Sequence, residues 1–164
     1  MKTLVLVRHA KSSWKYADLR DLDRPLNKRG KHDAPLMAEV FAERGIPVDL
    51  IICGPAKRTR KTARRFCKQL EYAWTDVVID KRIYEAPPEA ILEVIRSIDD
   101  AVAVVMVFGH NPGFTEVTNQ FSPDPVHNVP TTGIVTMSFD TRHWHRVPEL
   151  SPVDFDLDCP KNHD

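Results

Sequence analysis

A three-layer α/β sandwich with a mostly parallel, mixed central sheet follows from three features of this sequence. Short apolar runs recur along it, amphipathic helical patterns separate them, and no run reaches the length of a membrane span. Leu4-Val5-Leu6-Val7 is continuously aliphatic, as befits a strand covered on both faces. Leu50-Ile51-Ile52 and Val102–Phe108 share that character, and Val77-Val78-Ile79 is a shorter candidate.

The helices fall between these runs. Residues Lys31–Arg44 set Ala34, Met37, Ala38, Phe41 and Ala42 on one stripe, with Gly45 and Pro47 as stop signals. Pro35 requires that its place be the first turn. Lys57–Leu70 turns Ala63, Phe66, Cys67 and Leu70 inward, and Pro88–Ile98 does the same with Ile91, Leu92, Ile95 and Ile98. Near the end the pattern changes. Thr132–Phe139 and Trp144–Val147 suggest a hairpin turning at Asp140-Thr141, which makes the sheet mixed. The chain reads as one domain over residues 1–164, with 148–164, rich in proline and acid, either an ordered wrap or a loose tail.

Composition narrows the function. The chain has 164 residues, enough for a core without metal or disulfide staples, and 42% of them are hydrophobic. Lys plus Arg equals Asp plus Glu at 23 each, so the molecule as a whole lacks the basic field of nucleic-acid and anionic-membrane binders. The basic run from Lys57 to Arg65 reads as the solvated face of one helix, because no aromatic stacking platform accompanies it. Three cysteines without paired spacing point to reduced thiols and a cytoplasmic address. No Gly-x-x-x-x-Gly-Lys or Gly-x-Gly-x-x-Gly segment is present to announce a nucleotide cofactor.

The informative polar residues stand just after the apolar runs, since ligands of open α/β sheets collect at the carboxyl ends of strands. The first run ends in Arg8-His9-Ala10-Lys11, the second in Cys53-Gly54-Pro55-Ala56-Lys57-Arg58, and the long one in Gly109-His110-Asn111-Pro112-Gly113. Two arginines and two histidines are thereby directed to one edge. Arginine presents a fixed fork of donors to non-bridging phosphate oxygens, and neutral imidazole is a competent nucleophile near neutral pH. The chemistry indicated is phosphoryl transfer. Cys53 does not fit a cysteine-dependent phosphatase: four residues separate it from Arg58 where that loop needs five, so it reads as a structural thiol. His143 and His145 flank Trp144 on a candidate strand without further ligands at a metal-binding spacing.

These segments resemble the signatures of the histidine phosphatase superfamily, whose fold is phosphoglycerate-mutase-like, and above all its short SixA-type phosphohistidine phosphatase branch. LVLVRHA resembles the strand-Arg-His-Gly motif, which implies His9 as nucleophile and Arg8 as a phosphate ligand. GPAKRTRKTA resembles Ser-Pro-x-x-Arg-x-x-x-Thr, implying Arg58 as the second phosphate arginine, with Gly54 replacing the usual serine. GHNPG supplies His110 as the second pocket histidine, and DLDRPLNKRG places Arg24 near the entrance. Glu85, in RIYEAPPE, is the positional match for the acid/base carboxylate; read from its own surroundings, it could equally be a residue preceding the helix that begins near Pro88. The resemblance implies a phosphatase without metal or other cofactor, working through a covalent phosphohistidine. Its substrate would be phosphohistidine on a signalling or phosphotransfer protein, such as a histidine-phosphotransfer domain. A small-metabolite phosphomonoesterase is the enzymatic alternative. A non-catalytic phosphoprotein-binding module is a third, disfavoured because binding needs arginines but no nucleophile.

Overall fold

A computed structural model describes residues 1–164. Its six-stranded sheet has the order β3-β2-β4-β1-β5-β6. The strands are β1 (Lys2–Arg8), β2 (Leu50–Cys53), β3 (Val78–Ile79), β4 (Val104–Gly109), β5 (Ile134–Phe139) and β6 (Asp154–Asp158). β1, β4, β2 and β3 run parallel, β5 pairs antiparallel with β1, and β6 pairs antiparallel with β5. Four helices cover the sheet: α1 (Lys28–Glu43), α2 (Lys57–Leu70), α3 (Pro88–Arg96) and α4 (Gly113–Phe121).

Alternating side chains of the buried strands feed two cores. Val5, Val7, Ile51, Met106 and Phe108 pack with Met37, Phe41 and Phe66 of α1 and α2. Leu4, Leu6, Val105 and Val107 turn to the other face, against Ile91, Ile95, Phe114 and Val117 of α3 and α4. Strands without an exposed face are continuous apolar runs for this reason.

Several elements differ from expectation. α1 starts three residues early, because Asn27 caps it: the side-chain oxygen accepts from Gly30 N at 2.8 Å. Pro35 therefore lies beyond the first turn, where it withholds a hydrogen bond only from Lys31, an exposed residue. Trp144–Glu149 is a 3₁₀ helix rather than a strand, with Trp144 fully buried and its Nε1 donating to Val102 O at 2.8 Å. The true partner of β5 is β6, where Asp154, Asp156 and Asp158 alternate with Phe155 and Leu157. Carboxylates along an open edge discourage further strand pairing. α4 was not visible as a helix from its opening Gly-Phe-Thr, although Phe114, Val117, Thr118 and Phe121 keep the i, i+3, i+4, i+7 spacing and are buried.

Both α1 and α2 begin with basic residues and carry no acidic one in the first turn. Cations there oppose the helix dipole, at a cost of about 0.3–1 kcal/mol each when exposed.

Candidate active site

Parallel pairing of β1 with β4 sets Arg8 opposite Gly109, so the residues that follow, His9 and His110, emerge side by side. Their ring centroids are 5.2 Å apart. β2 pairs Cys53 with Phe108 on the other side of β4, and Gly54 N donates to Phe108 O at 3.1 Å, which starts the second loop at the same edge. One hydroxyl joins the loops: Thr62 Oγ1 accepts from Ala10 N at 2.9 Å and donates to Arg58 O at 2.8 Å. The sheet register thus brings the three site segments to one edge.

The result is an open cleft of about 360 Å³. All six residues singled out from the sequence line it: Arg8, His9, Arg24, Arg58, Glu85 and His110. Lys11, Ser12, Trp14, Asp21, Asn111 and Thr131 complete the wall.

His9 is buried, and its Nδ1 lies 2.7 Å from Ala10 O. A carbonyl can only accept, so Nδ1 carries the hydrogen and the neutral ring keeps its lone pair on Nε2. Burial above all, then the charges around His110, Arg58 and Arg8, hold the His9 pKa down to about 3, against an opposing pull from the Ala10 bond. Burial, followed by Arg58, lowers His110 to about 4. Both rings are neutral at physiological pH. Arg58 Nη2 lies 3.3 Å from His110 Nδ1, and since a guanidinium only donates, Nδ1 accepts and the hydrogen of His110 sits on Nε2.

Arg8 Nη1 donates to Val129 O at 2.9 Å, while its buried Nε has no partner within the protein. A buried donor of this kind is costly unless something else accepts from it. Arg24 is buried and heavily engaged: Nε donates to Ser13 O at 3.1 Å, Nη1 to Asp21 Oδ1 at 2.9 Å and Nη2 to Ser12 Oγ. Its guanidinium stacks 3.3 Å from the centre of the Trp14 ring. Arg24 therefore forms the entrance wall as much as it offers charge to a ligand. Glu85 is exposed at the cleft and holds a left-handed backbone, φ 48°. Cys53 is fully buried outside the cleft, and burial pushes its thiol pKa up, as suits a structural residue.

Three contributors escaped the sequence reading. Asp21 takes hydrogen bonds from Arg58, Arg24 and the Tyr84 hydroxyl. Burial raises its carboxyl pKa, but those three donors outweigh it and hold the group well below the usual carboxylate range. Tyr84 also meets the His110 ring edge-on at 5.5 Å. Thr132 is buried with φ 57°, and its N–H donates to Arg8 O at 3.0 Å and His9 O at 3.2 Å. A β-branched residue in the left-handed region costs about 1–3 kcal/mol and persists where its surroundings over-determine it. Asp21 stood inside the DLDRPL segment and so was within reach; nothing local marks Thr132.

The chain and its fold have counterparts among known proteins. The sequence pattern of the Histidine phosphatase superfamily (branch 1) matches residues 4–88, which include Arg8, His9, Arg24, Arg58 and Glu85. An uncharacterized chloroplastic protein of Arabidopsis thaliana is 31% identical over 129 residues, covering 74% of this chain but 59% of that relative's length. The Agrobacterium tumefaciens protein assigned as the phosphohistidine phosphatase SixA superposes with a TM-score of 0.78 at 28% identity, over 94% of this chain and 97% of its own. The protein histidine phosphatase SixA complexed with tungstate superposes at 0.81 over 99% of both chains, and at 17% identity that likeness concerns the fold alone. With its first half matching the family pattern and its whole length the fold, the chain belongs to the histidine phosphatase superfamily.

Proposed function

We propose that this protein removes the phosphoryl group from phosphohistidine on a signalling or phosphotransfer protein, a histidine-phosphotransfer domain being the natural carrier. The observation that carries the reading is the state of His9: Nδ1 held by Ala10 O at 2.7 Å and a pKa near 3 leave a neutral Nε2 lone pair in the cleft. Nε2 attacks phosphorus in line, forming a P–N bond as the bond to the leaving imidazole breaks. Arg8 and Arg58, the latter beside the neutral ring of His110, take the charge that spreads over the non-bridging oxygens. Water then attacks phosphorus, the P–N bond to His9 breaks, and inorganic phosphate leaves.

The leaving group favours this substrate. An imidazole has a conjugate-acid pKa of about 6.5 and can depart carrying its own proton, so a fixed general acid is dispensable. The cleft is open enough to admit a side chain still attached to a protein, and the likeness to the Agrobacterium protein points the same way. No helix is long and apolar enough to cross a membrane, and the two buried unpaired thiols suit a reducing cytoplasm.

A second reading rests on Glu85. A carboxyl at the cleft, on a left-handed backbone that a non-glycine residue rarely adopts, could protonate an alkoxide and favour a small phosphate ester. Catalytic efficiency measured with a chelator present, on a phosphohistidine-bearing carrier protein beside a panel of small esters, separates the two. Preference for the carrier that vanishes in His9→Ala is the expected result. Sustained turnover by that variant overturns the nucleophile assignment, and preference for one small ester moves the function to metabolism.

A further inference from the structure

Beside the cleft runs a second depression of about 560 Å³, built on Lys15, Tyr16, Leu19, Lys28, Lys31 and Lys57. The two share a wall. Ser12 and Arg24 line the cleft while their neighbours Ser13 and Pro25 line the groove, and Ser13 N donates to Pro25 O at 2.8 Å. Lys57 belongs to the groove and Arg58 to the cleft. Trp14 stands on the wall, 80% exposed, with one face covered by Arg24.

The groove's charge is one-sided. Every charged residue lining it is a lysine, on a protein whose acidic and basic residues balance overall at 23 each. Asp21 is engaged with Arg58 and Arg24 and Asp23 with Arg20, and Asp18, exposed between Tyr16 and Leu19, does not line the groove. Lys28 and Lys31 also crowd the first turn of α1, and Lys57 opens α2, with no acidic residue in either first turn. These are the positions where the helix dipole least favours a cation. A sequence that violates a local rule twice at one place points to a functional demand there. Tyr16 and Leu19, 52% and 42% exposed, add apolar surface among the lysines.

From this juxtaposition we infer that the groove docks an acidic segment of the phosphoprotein substrate, carboxylates on the lysines and an apolar side chain against Tyr16 and Leu19, while the phosphorylated side chain enters the cleft past Trp14. The inference rests on the phosphatase reading and names the chemistry of its substrate. It assigns specificity to a surface separate from the phosphoryl pocket.

The test uses three probes: phosphoramidate, a phosphohistidine peptide flanked by glutamates, and the same peptide with glutamines. Wild-type protein should favour the glutamate peptide by about ten-fold or more in kcat/KM, and Lys28→Glu/Lys31→Glu should lose that preference while cleaving phosphoramidate as before. A peptide flanked by lysines should recover turnover in the variant. Equal turnover of both flanked peptides by the wild type, or an unchanged preference in the variant, overturns the groove. Binding is read independently from the anisotropy of a labelled, unphosphorylated glutamate peptide, which should weaken about ten-fold in the variant and with rising salt. If phosphoramidate is not cleaved, the phosphatase reading fails while the anisotropy still decides the groove; no salt-sensitive binding there overturns it.

Discussion

Asp21 grips Arg58 at two points: its backbone oxygen accepts from Nη1 at 2.7 Å and its Oδ2 from Nη2 at 2.9 Å. The same carboxylate holds Arg24 and the Tyr84 hydroxyl, so one acidic residue fixes Arg58 in the pocket and Arg24 at its entrance. Its charge also opposes an incoming phosphate, which makes sense only if orientation matters more than raw attraction. Asp21→Ala should lower kcat/KM on phosphoramidate by about 10- to 100-fold, the penalty for a misplaced charge clamp. Inhibition by inorganic phosphate should weaken much less, because the arginine charge remains. Unaltered kinetics would show that Arg58 is oriented without Asp21.

Stability should fall on mild acidification. His9 and His110 have folded pKa values near 3 and 4, below the ordinary 6.5, so between roughly pH 6.5 and 4 the unfolded chain binds protons that the folded one refuses. Stability from these groups is full above pH 6.5 and is lost as pH falls through that window, about 2 kcal/mol per histidine by pH 5. Asp21, with its depressed pKa, acts in a different window: its contribution is present above about pH 3.9 and lost only below it. Urea midpoints at pH 7 and pH 5 for wild type and His9→Gln check this. The variant should show a flatter dependence, and parallel curves would mean that His9 titrates normally.

How much could be read beforehand depended on where the determinants lay. Arg8, His9, Arg58 and His110 were legible because each follows a buried apolar run, and sheet topology sends the ends of parallel strands to one edge. Asp21, Tyr84 and Thr132 act through contacts across 37, 63 and more than 120 residues of chain, which no local pattern encodes. The false strand at Trp144–Val147 arose because a buried tryptophan and valine mimic β composition. β6 went unseen because its two apolar residues sit in an acidic, proline-rich tail and gain meaning only beside β5. Local composition reported burial faithfully; it did not report which partner caused it.

Gly30 marks a close approach that fixes the first loop. A Cβ there would stand 2.1 Å from Lys11 O, a backbone atom that also accepts from Asn27 N at 3.0 Å. No side chain can swing aside to make room. Gly30→Ala should destabilise the protein by about 3 kcal/mol or more, at the upper end for overpacking, or prevent folding. Thermal unfolding measures the effect, and a change below about 1 kcal/mol would mean that α1 and the Lys11 segment move apart freely.

Gly54 is the opposite case. Its added Cβ would rest 3.5 Å from Ile83 Cγ2 and 3.6 Å from His110 Nε2, ordinary contact distances. A serine hydroxyl built there would come within reach of His110 Nε2, which lies 3.4 Å from Thr59 Oγ1. Gly54→Ser should change stability by less than about 1 kcal/mol and leave kcat/KM within about three-fold. A loss beyond ten-fold would show that the loop requires glycine for more than space.

Glu85 distinguishes substrates by their leaving groups. An alkoxide is too basic to depart from phosphorus unaided, so if Glu85 supplies its proton, Glu85→Gln should slow cleavage of alkyl phosphates by about 10²- to 10⁴-fold. Imidazole leaving from phosphohistidine, with a conjugate-acid pKa of about 6.5, should be nearly indifferent to the same change. Plotting log kcat/KM against leaving-group pKa for both proteins gives the decisive comparison. The variant's line should be steeper and meet the wild-type line at good leaving groups. Parallel lines would remove Glu85 from proton transfer, leaving its left-handed backbone as a feature of the turn into α3.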